Sequence, residues 1–89
     1  MSVAEARFYR LGLNCYYCRA PLDGHDHQRF KTRDHKTPKS RGGLDEPSNI
    51  VACCNLCNRT KGNMTEDEFR EWIRRGRPNK VAYLREIGL

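Results

Sequence analysis

The sequence predicts one small α+β domain, and three observations lead to this class. The chain has 89 residues, which is enough for a single domain. Apolar residues make up 37% of it, so the hydrophobic core of a domain this small is thin. Short apolar runs around Phe30 and Ile50 favour strands, whereas the spacing of Phe69, Trp72 and Ile73 is typical of an amphipathic helix. The chain therefore combines a small sheet with helices.

Both ends of the chain are predicted to be helical. Ser2 is followed three residues later by a glutamate, a capping-box pattern that opens a helix over residues 1–12. Thr65 begins a second such pattern, and Gly76 stops the helix that follows it. A shorter helix closes the chain, so residues 64–89 form C-terminal helices that flank the centre of the domain.

Residues 13–63 form the central unit of the predicted domain. After a knuckle-like turn, one short strand ends near His35 and a second covers residues 48–54. The two strands form an antiparallel hairpin with a long basic connection. A short helix follows the second strand and ends by Gly62.

Two C-x-x-C pairs predict a metal centre at the base of this hairpin. Cys15 with Cys18 and Cys54 with Cys57 match the spacing of a tetrahedral zinc site with four cysteine ligands. Such a site has no open position for water, so the zinc is structural rather than catalytic. Cys53 could replace Cys54, but two matching pairs favour Cys54 and leave Cys53 as a small buried residue. An odd count of five cysteines argues against a disulfide framework.

The charge of the chain indicates a polyanionic partner. The formal net charge is +6 and the pI is about 9.3, which favours nucleic acid first and an anionic membrane second. The membrane interpretation is weak because no apolar run approaches the about 18 residues that a transmembrane helix needs. No signal-peptide pattern opens the chain, so we expect a cytoplasmic protein that does not bind membranes.

Three short motifs in order carry a resemblance to a known family. They are "DHKTPKSRGG" at the end of the first strand, "SNIVACCNLC" on the second, and "CNRTKGN" on the following helix. Together with the cysteine pairs, they resemble the zinc-bearing branch of the HNH endonuclease family over about residues 15–63. The resemblance implies a ββα-metal finger, also called a His-Me finger, clamped by a four-cysteine zinc site.

The resemblance also implies a role for each motif residue. His35 matches the general base, and Asp34 matches a ligand of the catalytic metal ion. Asn49 matches the central residue that braces the loop and so orients the histidine. Asn58 matches the third position, where many members have His, so this chain is an H-N-N variant. An amide oxygen in that place favours Mg²⁺ or Mn²⁺ as the catalytic ion.

These assignments predict a metal-dependent endonuclease that nicks double-stranded DNA with weak sequence specificity. The expected active form is a monomer or a homodimer. A larger phage or restriction assembly is a further expected partner. Six basic side chains are expected to contact DNA phosphates: Arg33, Lys36, Lys39, Arg41, Arg59 and Lys61. Two alternatives stay open at this point, a non-catalytic zinc-ribbon module that binds DNA and a phage packaging accessory subunit. His25 and His27 flank Asp26 in a turn, where a solvated role is the default.

Overall fold

The computed structural model of the protein describes residues 14–22 and 28–89. The predicted N-terminal helix over residues 1–12 and the His25–His27 triplet lie outside the described residues. Two strands and three helices make up the described part, and they are β1 (Lys31–His35), β2 (Ile50–Cys54), α1 (Asn55–Lys61), α2 (Glu66–Arg74) and α3 (Lys80–Glu86). This arrangement confirms the α+β class and agrees with a ββα unit followed by helices.

The two strands form an antiparallel hairpin whose register sets the rest of the fold. Pairing runs from Lys31 opposite Cys54 to His35 opposite Ile50. Alternate side chains of β1 therefore point to opposite faces, with Asp34 towards α1 and His35 away from it. The helix α1 begins at once after β2, because the Cys54 sulfur caps its first turn by accepting the Cys57 N–H at 3.4 Å. The β2 strand and α1 are thus joined without a loop.

The N-terminal knuckle covers the outer edge of β2. The backbone N–H of Tyr16 donates to the carbonyl of Ala52 at 3.0 Å. An isolated bridge between Asn14 and Pro21 closes the knuckle on itself. These contacts place the first cysteine pair beside the start of α1.

The core consists of aromatic side chains packed against the cysteines. The Phe69 ring lies edge-on to Tyr17 at a centroid distance of 5.1 Å and stacks on Trp72 at 6.1 Å. Burial of such rings supplies much of the apolar stabilisation in a core this small. The polar atoms of two core rings are satisfied, since Trp72 donates to Pro78 O and the Tyr83 hydroxyl donates to Glu68 O. The second predicted capping box is present at Thr65 and opens α2. No helix within residues 14–22 and 28–89 is long and apolar enough to cross a bilayer.

The connection between the strands is a structured loop rather than an irregular one. Two 3-10 turns, Lys39–Arg41 and Pro47–Asn49, lie within it. Gly42 adopts a φ of 88°, a left-handed conformation that glycine tolerates without strain. Gly43 donates its N–H to Pro38 O at 2.9 Å, so the chain folds back against itself.

Gly43→Ala is expected to disrupt this loop. A methyl group on Gly43 would lie 1.8 Å from the carbonyl oxygen of Thr37 and 2.9 Å from that of Pro38, both of them backbone atoms. Relief of the clash requires the backbone to move, which costs about 1–3 kcal/mol or more. Urea unfolding measures the loss. Gly42→Asn is the matched control, because its site is open and asparagine tolerates positive φ. Equal midpoints for the two variants would contradict the crowding at Gly43.

Candidate metal centre and catalytic residues

The four cysteines of the two C-x-x-C pairs converge on one point. The ligand atoms of Cys15, Cys18, Cys54 and Cys57 all lie within 4.8 Å of one another. The Cys18 and Cys54 sulfurs are 3.8 Å apart. A tetrahedron with Zn–S bonds of about 2.3 Å has edges of about 3.8 Å, so the cluster has the size that zinc requires. The cluster could therefore hold a structural zinc ion, and Cys53 lies outside it.

Backbone N–H groups and neighbouring thiols surround the cysteine sulfurs in a way that favours binding of a cation. The N–H of Cys18 points at the Cys15 sulfur at 3.4 Å, the same contact that Cys57 makes with Cys54. A hydrogen bond from Cys57 lowers the pKa of the Cys15 thiol to about 4, and the pKa of Cys57 is raised in return. The Cys15 thiolate therefore opposes ionisation of Cys57, and a bound cation would offset this opposition.

Arg29 contacts the four-cysteine cluster, and no residue spacing in the sequence indicates this contact. Its Nη1 donates to the Cys18 sulfur at 3.0 Å and to the Cys54 sulfur at 3.4 Å. The thiol of Cys54 raises the pKa of the guanidinium in turn. Because four thiolates carry more negative charge than one zinc ion neutralises, a guanidinium at this position offsets part of the excess. It contacts Cys18, the one exposed cysteine among the four.

A buried ion pair joins β1 to α1. Asp34 is 6% exposed and Lys61 is fully buried. The Lys61 ammonium donates to the Asp34 carboxylate at 3.3 Å and to the backbone carbonyl of His35 at 2.9 Å. The Tyr17 hydroxyl donates to the other carboxylate oxygen at 2.5 Å. Burial raises the pKa of Asp34, and the contacts with Tyr17 and Lys61 oppose that rise.

The position of Lys61 corrects one expectation from the sequence. A side chain with no exposed surface cannot contact a DNA phosphate at the protein surface. The reason is the helical spacing of α1, which turns Lys61 inward towards the buried carboxylate of Asp34. Lys61 is thus a structural counter-ion in this structure and not one of the outward-facing cations.

Asn58 lies on the same side of β1 as Asp34. Its Nδ2 donates to the Thr32 hydroxyl at 3.0 Å and to the carbonyl of Arg33 at 3.2 Å. Lys61 follows one helical turn later, so Asn58 and Lys61 both face the strand. We call the group of Thr32, Asp34, Asn58 and Lys61 the β1–α1 seam. The structure brings the two predicted ligands of the catalytic ion into this seam.

The donor atoms of the β1–α1 seam suit a hard cation. A carboxylate oxygen from Asp34 and an amide oxygen from Asn58 are the ligand types that Mg²⁺ and Mn²⁺ prefer. The ammonium of Lys61 already neutralises the carboxylate at 3.3 Å. The Tyr17 hydroxyl donates to the other carboxylate oxygen, so both oxygens of Asp34 have a partner in this structure.

His35 points away from the β1–α1 seam and towards the loop. Its Nε2 lies 2.5 Å from Oδ1 of Asp45, and its side chain is 20% exposed. Lys39 donates to the second oxygen of the same carboxylate at 3.0 Å. The contact with His35, followed by that with Lys39, lowers the pKa of Asp45. The sequence motifs indicate His35 but not Asp45, since no motif pairs residues ten apart in a loop.

The side chain of Asn49 forms hydrogen bonds with the backbone of the loop between β1 and β2. Its Oδ1 accepts the N–H of Thr37 at 3.0 Å, and its Nδ2 donates to Thr37 O at 3.1 Å and Leu44 O at 2.9 Å. One amide side chain therefore spans both ends of the loop. Because Leu44 immediately precedes Asp45, the hydrogen bond from Asn49 to Leu44 O also helps to fix the position of Asp45.

Comparison with known protein families identifies the family of this chain. A sequence profile of the HNH endonuclease family matches residues 15–73, about two thirds of the chain. The chain belongs to the HNH endonuclease family. Neither the curated proteins nor the solved structures that were searched include a significant match.

Membership of the HNH endonuclease family supports a nuclease-type function and implies a nucleic-acid substrate. The matched region contains both cysteine pairs, the Asp34–His35 dipeptide, Asn49 and Asn58. The resemblance seen in the sequence is therefore confirmed at the level of the family.

The cations expected to face nucleic acid differ in their surroundings. Arg33 is exposed and lies two residues before His35, on the same face of β1. Arg41 forms an ion pair with Glu68 and also donates to Asn63 O at 3.2 Å. Three others have neighbours of their own: Lys36 lies over the Tyr16 ring, Lys39 contacts Asp45, and Arg59 donates to Gln28. Arg33 is thus an exposed cation on the same face of β1 as His35.

Proposed function

We propose that the protein is a divalent-metal-dependent endonuclease that hydrolyses phosphodiester bonds in DNA. His35 is the general base, and Asp34 with Asn58 holds the catalytic ion. The observation that carries the proposal is the family match over residues 15–73, within which Asp34 and Asn58 share the β1–α1 seam. A zinc ion bound by the four cysteines is structural and anchors the hairpin and α1 to the N-terminal knuckle.

His35 supplies the proton acceptor in this mechanism. A neutral imidazole ring has one nitrogen lone pair that can take a proton from water. The ring is partly exposed at the end of β1, where a substrate phosphate can approach it. Asn49 keeps the loop closed behind the ring through its three hydrogen bonds to Thr37 and Leu44.

The β1–α1 seam supplies the residues that would hold the catalytic ion. A divalent ion held there would supply positive charge to offset the negative charge of the phosphate and of the leaving oxygen. Asp34 and Asn58 would hold it, and Lys61 would give up its contact with Asp34. The backbone carbonyl of His35 remains an acceptor for the ammonium after that exchange.

Phosphate contacts position the substrate and bring little sequence information. Arg33 is proposed to bind the phosphate next to the scissile bond, and the surplus of positive charge attracts the rest of the duplex. One catalytic histidine in each chain would nick one strand. A double-strand break would require a homodimer or two separate encounters.

Nicking of supercoiled plasmid tests the proposal. The wild type should convert plasmid to open circles with Mg²⁺ or Mn²⁺ and should not do so with EDTA. His35→Ala should lower the rate by about 10²–10⁴-fold, the usual contribution of a general base. Arg85→Ala, a change of charge on the exposed side of α3, is the matched control and should retain activity. Nicking at the wild-type rate by His35→Ala would refute His35 as the base.

The buried ion pair favours a second candidate function. Because Lys61 already neutralises Asp34, the same chain could bind DNA without cleaving it. Such a DNA-binding module, alone or as an accessory subunit of a packaging assembly, would shift DNA in a gel and leave plasmid intact under every metal. That outcome, with zinc bound and the domain folded, would replace the nuclease proposal.

A further inference from the structure

The carboxylate of Asp45 holds the ring of the proposed base. His35 Nε2 and Asp45 Oδ1 are 2.5 Å apart, a short contact between a partly buried ring and an exposed acid. An ionised carboxylate only accepts hydrogen bonds. The proton in this contact therefore belongs to Nε2 of His35. A neutral imidazole has one N–H, so Nδ1 carries the lone pair that can accept a proton from water.

The loop holds Asp45 at several points. Lys39 donates to its second oxygen at 3.0 Å, which leaves Oδ1 for His35. Asn49 binds the carbonyl of the preceding residue, Leu44, at 2.9 Å. Gly43 is tied to Pro38 O, so the backbone that leads to Asp45 is held as well. An exposed ion pair alone contributes little to stability, but one anchored in this way can orient a ring.

We propose that Asp45 is the positioning residue of His35. It fixes the imidazole with Nε2–H towards the loop and Nδ1 as the proton acceptor. Asp45 itself does not touch the substrate, since its negative charge would repel a phosphate. This inference rests on the proposed function for its catalytic meaning, whereas the hydrogen bond can be tested without any nuclease activity.

Imidazole NMR tests the hydrogen bond directly. A ring N–H that lacks a hydrogen-bond partner exchanges with water too fast to be observed. The wild type should show a one-bond ¹H–¹⁵N correlation from Nε2 of His35, assigned by its loss in His35→Ala. Asp45→Ala should lose this signal. Asp45→Asn should retain it, because the amide oxygen still accepts the proton. A signal that persists in Asp45→Ala would overturn the inference.

Plasmid nicking tests the catalytic consequence. Asp45→Ala should lower kcat by about tenfold or more, but by less than the about 10²–10⁴-fold that a whole general base contributes. The KM for DNA should not rise, because the variant removes a negative charge. Asp45→Asn should recover most of kcat. An unchanged kcat in Asp45→Ala, or a loss confined to KM, would overturn the positioning role.

The two tests separate the inference from the proposed function. A wild type that gives the Nε2–H signal but nicks no plasmid refutes the nuclease proposal and the catalytic role of Asp45, while the contact itself stands. A wild type that nicks plasmid without the signal refutes the inference and leaves the nuclease proposal intact.

Discussion

Removal of zinc is expected to unfold the domain. The four cysteines connect the N-terminal knuckle to α1, and the core that remains is a small aromatic cluster. Structural zinc contributes about 10–16 kcal/mol of apparent binding free energy in small zinc domains, comparable to the whole stability of a domain this size. Chelation, or Cys15→Ser, should therefore abolish the cooperative thermal transition seen by circular dichroism.

Cys53→Ala is the matched control for this experiment. Cys53 is as buried as Cys15 but lies outside the four-cysteine cluster. Burial raises the pKa of its thiol to about 12, so it stays protonated at neutral pH and is a poor metal ligand. The control should retain one zinc ion per chain by elemental analysis and a cooperative transition. A Cys15→Ser variant that retains zinc and the wild-type melting temperature would contradict the assignment of the cluster.

Lys61→Met is expected to destabilise the protein by about 3–5 kcal/mol, because it leaves the Asp34 carboxylate buried without its partner. Combining it with Asp34→Asn should restore much of the loss, since a neutral amide still accepts the Tyr17 hydroxyl. Urea unfolding of both single variants and the double variant measures the coupling between the two sites.

Arg74→Met provides the control for the loss of an ion pair. Arg74 is exposed and pairs with Glu71 along α2, so its replacement should leave the unfolding midpoint nearly unchanged. Additive losses in Asp34→Asn and Lys61→Met would contradict a buried ion pair.

In Lys61→Met, Mg²⁺ or Mn²⁺ should raise the melting temperature more than in the wild type if Asp34 holds the catalytic ion.

Much of the fold is readable from local sequence patterns. Thr65 with its glutamate three residues later predicted the start of α2, and the structure shows the capping box there. The apolar run of β2 and the glycine after α1 predicted elements that the structure places within two residues of their expected bounds. These signals are local because a helix cap or a strand pattern depends on neighbours a few residues away.

The pairing of the cysteines was also readable, although the two pairs are far apart in sequence. Each C-x-x-C is a local turn whose backbone N–H groups point at its first sulfur, as at Cys15 and Cys54. Four thiolates need a common cation, so chemistry alone indicates that the pairs meet. The sequence could not indicate that Arg29 would stand against them, because a guanidinium has many possible partners on a basic chain.

The sequence by itself determined the class of the fold and the family, and it predicted the residues of the proposed chemistry other than Asp45. Only the tertiary structure decided how those residues are partnered. It buried Lys61 against Asp34, twenty-seven positions away, and placed Asp45 on His35 across ten. The physical reason is that a charged side chain takes its role from the charge it meets in the fold, and its own sequence neighbours do not specify that partner.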